Sequence, residues 1–199
     1  MPSLWTRNNR LWRMAALAFL VLCSSADGRT LNSKISILEQ IPVLRPEYPV
    51  PDDSNLLFYV ERSVNANTVV YAANMDAHGN LDSREPVTAF WRWFNVDGHK
   101  KDLNFIERMM AYGVKILSAA PGKPVTFEIA SLPERVLTLD KDAAGKPEAL
   151  IEIGGHPVRL TYVYLHVVEG GLMPSVPALD IFGIDKLSGK AVQEHIVQS

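Results

Sequence analysis

The residues of this chain that could do chemistry are few and scattered, and they start with five histidines: His78, His99, His156, His166 and His195. The first three sit beside turn-forming residues, where an imidazole is ordinarily solvated. His166 lies in an extended apolar run. On a strand, Glu169 three positions later points to the opposite face, so the two cannot share a metal. His166 and His195 could meet across neighbouring strands, a pairing suited to zinc, but the sequence assigns no metal to them. Asp180 and Asp185, five apart on one strand, also take opposite faces, which undercuts paired-carboxylate acid–base chemistry. Residues 76–82 (Asp-Ala-His-Gly-Asn-Leu-Asp) superficially resemble a calcium loop. They lack the spaced Asp/Asn ligands and terminal Glu, and read as a solvated hairpin turn. No Gly-x-Ser-x-Gly elbow, phosphate-binding glycine loop or His-Glu-x-x-His helix occurs. No catalytic residue and no cofactor is therefore assigned.

Aromatic residues supply the rest of the candidate site. Trp91, Trp93, Tyr162 and Tyr164 combine apolar bodies with polar tips, as the lining of a small-molecule site does, and Arg92 and His166 stand among them. The competing reading makes them ordinary core and rim residues. Arg62, Asn67 and Arg108 are further polar groups set beside apolar runs; any of them buried without a partner would need one. Two function classes follow. One is a non-catalytic module binding a small apolar or amphipathic ligand or a protein partner of the cell envelope. The other is an enzyme of unrecognised type, with His166, Arg92 and an acid such as Asp180 in one cleft. The lack of any familiar nucleophile or metal motif favours the first.

The elements that must position these residues are mainly strands. Short apolar runs broken by turn residues occur at 56–61, 68–73, 87–94, 125–129, 135–139, 149–153, 158–168, 179–184 and 191–197, the spacing of an all-β domain. Ser188-Gly189 joins the last two as a hairpin. Leu103, Ile106, Met109 and Met110 instead fall at helical spacing, with Asp102 to cap the start and Gly113 to end it; the methionines read as core packing. The runs at 87–94 and 158–168 are apolar on both faces, so each face needs cover. The expected fold is mostly β: an antiparallel barrel or sandwich with one accessory α-helix, the 158–168 strand bending across both halves. These two aromatic strands are expected to share an interior, with Trp91 and Tyr162 or Tyr164 near its mouth.

Upstream, residues 1–26 read as a secretory signal peptide. Arg7, Arg10 and Arg13 precede an apolar run from Met14 to Cys23, and Ser24-Ser25-Ala26 supplies a small-residue exit. The run is too short to span a membrane, and nothing after it is long and apolar enough to do so. Cys23 is the sole cysteine, so cleavage after Ala26 leaves a mature chain without disulfides. Leu22 before it argues against a lipoprotein anchor. Cleavage also shifts the formal charge from -2 to -5, with 17 basic against 22 acidic residues, which disfavours nucleic acid or anionic lipid as partner. The expected organisation is a leader (1–26), a proline-rich lead-in (27–54) and one β-rich domain (55–199), monomeric, periplasmic or secreted.

Three stretches carry a resemblance: residues 65–71 (Asn-Ala-Asn-Thr-Val-Val-Tyr), 86–91 (Pro-Val-Thr-Ala-Phe-Trp) and 105–113 (Phe-Ile-Glu-Arg-Met-Met-Ala-Tyr-Gly). In this order they resemble the signature stretches of an uncharacterised family of exported bacterial proteins, a conserved domain of unknown function. The resemblance covers most of the chain after Pro51. It implies a bacterial exported origin and a single domain, and it carries over no activity, cofactor or site residue.

Overall fold

A computed structural model describes residues 47–120, 122–170 and 174–198. The leader, its cleavage point, Cys23 and most of the lead-in lie outside the described residues. Eleven strands are described: β1 (Leu56–Arg62), β2 (Asn65–Ala73), β3 (Val87–Arg92), β4 (Lys100–Asp102), β5 (Val114–Ser118), β6 (Val125–Ile129), β7 (Leu137–Lys141), β8 (Pro147–Ile153), β9 (His156–Val168), β10 (Ser175–Asp185) and β11 (Ala191–Val197). The fold is mostly β with a single short helix, as expected. Two strands were not expected, β4 and β5; β4 is a three-residue edge strand and β5 carries Lys115 and Ser118 on an exposed edge, so neither shows an apolar alternation.

The strands form one curled sheet in the order β4-β3-β2-β1-β9-β8-β7-β6-β5, from which β10 and β11 continue off the other side of β9. The long strand β9 organises this arrangement. Its first half pairs with β8 through residues 156–159, its second half pairs with β1 through residues 162–165, and β10 runs along almost its full length. A long strand serving both halves of the sheet is thus present, as expected. The sheet departs from a purely antiparallel one at a single seam, because β1 and β9 pair in parallel. Ser63 extends that seam: its N–H donates to the Leu165 carbonyl (3.0 Å), and its hydroxyl accepts from the Val167 N–H (2.8 Å) and donates to the Val167 carbonyl (3.1 Å).

Alternation along the strands decides which face each residue takes. Val60, Val69, Trp91, Val163 and Ile181 follow one another across the register and enter a core shared with Phe127 of β6, Leu139 of β7 and Ile151 of β8. On the other face, Val70, Ala72 and Phe90 form a second buried cluster with Leu56. This explains why β2 and β3 are apolar on both sides.

The helical segment differs from its expectation in three respects. Asp102 belongs to β4, opposite Phe90, so Asn104 caps instead, in a capping box with Glu107. A single α-turn, α1 (Phe105–Glu107), then widens into a π-helical turn over Arg108–Tyr112. That wider turn breaks the 3.6-residue period on which a packed stripe depends. Ile106, Met109 and Met110 consequently stay exposed, and of this turn Tyr112 alone is buried; the two methionines are not core residues. Gly113 ends the segment in extended geometry, where a Cβ would stand 1.8 Å from the Arg108 carbonyl oxygen.

Tyr71 ties this segment to the core by donating its hydroxyl to the Tyr112 carbonyl at 2.9 Å, fully buried. Burial pushes the Tyr71 phenol far above its ordinary value, and burial raises Tyr112 as well. The unfolded chain ionises both near pH 10 while the folded chain keeps its protons, so stability is intact below about pH 10 and falls as pH rises beyond it. Each tyrosine contributes a slope of up to about 1.4 kcal/mol per pH unit. Urea melts between pH 8 and 12 should therefore show Tyr71→Phe weaker by about 1 kcal/mol at pH 8, from the lost hydrogen bond, but with a shallower alkaline decline. Parallel declines would show that Tyr71 ionisation does not govern the alkaline limb.

Candidate functional site

The face of the β9-β10-β11 sheet turned away from the main core carries a polar cluster beside an aromatic stack. Asp180 on β10 stands directly opposite Tyr164 on β9 and His195 on β11, and His166 lies one step further along β9 on the same face. Three adjacent strands therefore converge their side chains on one carboxylate. Asp180 Oδ2 meets His166 Nε2 at 2.6 Å, and Oδ1 meets His195 Nδ1 at 2.8 Å and accepts from Gln193 Nε2 at 3.1 Å. The Asp180 side chain is 1% accessible, whereas His166 and His195 are 33% and 53% accessible. The cluster is thus a buried anion at the floor with two imidazoles reaching toward solvent.

Burial alone would raise the Asp180 carboxyl. The hydrogen bonds from His166, His195 and Gln193 outweigh it and hold the group below the ordinary carboxylate range, ionised at neutral pH. Among the described residues those three are its polar partners, and none is a Lys or Arg. The Tyr164 ring meets His166 edge-on at 5.1 Å, and the two imidazoles cross at 6.0 Å. Further along the same face, Tyr162 stacks between Phe182 (4.3 Å) and Tyr59 (5.4 Å).

The structure brings His166, Tyr164 and Tyr162 onto this face and takes the other three expected site residues elsewhere. Trp91 points into the main core, edge-on to Tyr112 at 5.1 Å and under the Arg62 guanidinium at 4.7 Å. Strands β3 and β9 do share that interior, but through Trp91, Val163 and Leu165; the tyrosines of β9 face the other way. Arg92 is bound to Asp53 through several hydrogen bonds and donates to the Gly98 carbonyl at 3.2 Å. Trp93 packs beside His99 with the Lys101 ammonium 3.8 Å from its ring centre. Sequence patterning does not single out Gln193, and it groups Asp180 with His166 and Arg92 rather than with His195.

The histidines expected at turns are placed there. His78 and His99 are exposed in loops, and His156 opens β9 at an exposed position. The 76–82 segment is a hairpin connection in which Asp76 accepts from the His78 and Asn80 backbone, as a turn-capping carboxylate rather than a calcium ligand set.

The model of the family described as a domain of unknown function (DUF4833) matches residues 58–195. The chain belongs to this family. The match runs from within β1 almost to the end of β11, so nearly all of the sheet and all four residues of the cluster lie within the DUF4833 domain. No curated protein and no solved structure matches the chain. Among the described residues of the DUF4833 domain, no helix is long and apolar enough to cross a membrane.

Proposed function

We propose that this DUF4833 chain is an exported, monomeric binding module, and that its binding site is the His166–Asp180–His195 cluster. One observation carries the reading: an ionised carboxylate that is 1% accessible is presented to two partly exposed imidazoles from neighbouring strands. Buried charge is costly unless it is matched, and here the matching groups are themselves open to solvent, where a small ligand can reach them. Export rests on the layout of residues 1–26.

The enzyme reading needs His166, Asp180 and a cationic Arg92 in one cleft. Arg92 lies on β3, three strands away from β9 in the sheet order, and is instead engaged by Asp53. A close Asp–His pair is also what orients a general base. Here, however, Asp180 engages one nitrogen of each of the two imidazoles at once, so it is a shared anion between them rather than the orienting member of a single Asp–His pair. Binding is the better-supported role.

Native mass spectrometry of protein purified from the envelope fraction of its own host tests both parts. The expected result is a mass consistent with cleavage after Ala26 and a retained small species that is lost in His195→Ala. A chain that keeps Met1 would end the export reading, and one that retains nothing would end the binding reading.

A further inference from the structure

We infer that His166, Asp180 and His195 form a site for one divalent transition-metal ion of the zinc type. This rests on the reading that the cluster is the domain's binding site, and it names the ligand class. Each residue offers one donor atom, and the three donors lie within 4.8 Å of one another. Nε2 of His166 and Nδ1 of His195 converge on the one carboxylate, each facing a different oxygen of Asp180. Two imidazoles and one carboxylate are a recurrent three-residue ligand set for zinc.

Side-chain rotation suffices to close the geometry on an ion. Zinc sits about 2.0–2.2 Å from nitrogen and carboxylate oxygen, which spaces tetrahedral donors about 3.3 Å apart. The present contacts of 2.6 and 2.8 Å would open by about 0.5–0.7 Å, with the ion replacing the protons between them, and the widest donor separation, up to 4.8 Å, would close toward the same spacing. Both imidazoles have an open side and can swing outward, while Asp180 is fixed on the central strand of the three. Gln193 donates to Asp180 Oδ1 from the same strand as His195 and can hold the carboxylate in place when metal is bound.

Ligand chemistry narrows the choice of ion. Two nitrogen donors disfavour Ca2+ and Mg2+, which take oxygen ligands, and the lack of a thiolate disfavours Cu+. Zn2+, Co2+ and Ni2+ suit imidazole with carboxylate. With three protein donors, a fourth position is left on the side where the imidazoles meet solvent, so the bound ion can carry a water or an exogenous anion.

The test is a titration of the purified, metal-stripped chain with Zn2+ by calorimetry, repeated with Co2+ by visible absorption. One equivalent per chain is expected, with excess Ca2+ or Mg2+ failing to compete. His195→Ala changes a residue that is half in solvent, so it should keep the fold, checked by circular dichroism, and should lose saturable uptake. Gln193→Ala should weaken binding by ~10–100-fold without abolishing it. A folded wild-type chain that takes up no Zn2+ overturns the inference, and so does uptake that His195→Ala leaves unchanged. An organic species retained from the host and lost in His195→Ala, with no Zn2+ uptake, would overturn the metal assignment while leaving the binding reading intact.

Discussion

Trp91→Ala should destabilise the domain by about 3–5 kcal/mol, the size expected for removing a large aromatic from a packed core. Trp91 is 5% exposed, its ring meets Tyr112 edge-on, and the Arg62 guanidinium lies over its face. Truncation leaves a cavity between β3 and the segment before β5, and it removes the aromatic surface against which Arg62 rests. Urea denaturation reads the loss directly. Zinc titration of the same variant under native conditions should be unchanged, because Trp91 and Asp180 project from opposite faces of the sheet. A loss well under 2 kcal/mol, accompanied by weaker binding of an apolar probe dye, would instead place Trp91 in a ligand pocket.

Gly183→Ala should destabilise by about 1–3 kcal/mol, the range for forcing an atom into a filled space. Gly183 lies at the register shift between β9 and β10, and a Cβ there would sit 2.3 Å from Val158 Cγ1 and 2.6 Å from the Arg159 carbonyl oxygen. The first neighbour can turn aside, but the second is backbone and cannot move without parting the strands. Asp180 is three residues away on the same strand, so the effect should extend to the site as weaker metal uptake. Gly170→Ala is the control: an added Cβ there meets nothing within 4 Å, and its melt should match the wild type. Equal stability of the two variants would show that β10 can be displaced from β9 freely.

Period-two alternation with branched and aromatic residues made most of the strands legible, and β6 and β11 match their expected spans to the residue. The two-faced 87–94 run does find buried partners on both sides, Trp91 in the main core and Phe90 in the second cluster, whereas the outer face of the 158–168 strand opens to solvent at His166. What alternation cannot supply is register. A two-residue turn at Ser188-Gly189 would place Asp180 opposite Val197. The actual connection is longer: Asp185 N–H donates to the Lys190 carbonyl, residues 186–189 form the loop, and Asp180 lands opposite His195. That shift of two positions separates an unremarkable edge from a three-donor cluster. Similarly, the β1–β9 pairing joins segments from opposite ends of the domain, so no local pattern could show that Tyr162 and Tyr164 turn away from Trp91. The helix failed for a different reason: its apolar spacing was genuine, but the π-helical turn removed the period that the spacing assumed.

The parallel seam also separates its two strands in the order of synthesis. Ser63 and Val167 are 104 positions apart, and β1 has no second strand neighbour until β9 arrives. On a chain made from its N-terminal end, the β1–β2 hairpin therefore has an open edge until β3 to β8 have been made. Long-range pairing of this kind slows folding and exposes strand edges in the meantime. The hairpin β10–β11, which docks on β9, is the last of the described strands to be made. Since Asp180, Gln193 and His195 all belong to that hairpin, the proposed site depends on these last two strands, and a chain made only as far as β9 holds just one of the three proposed metal donors.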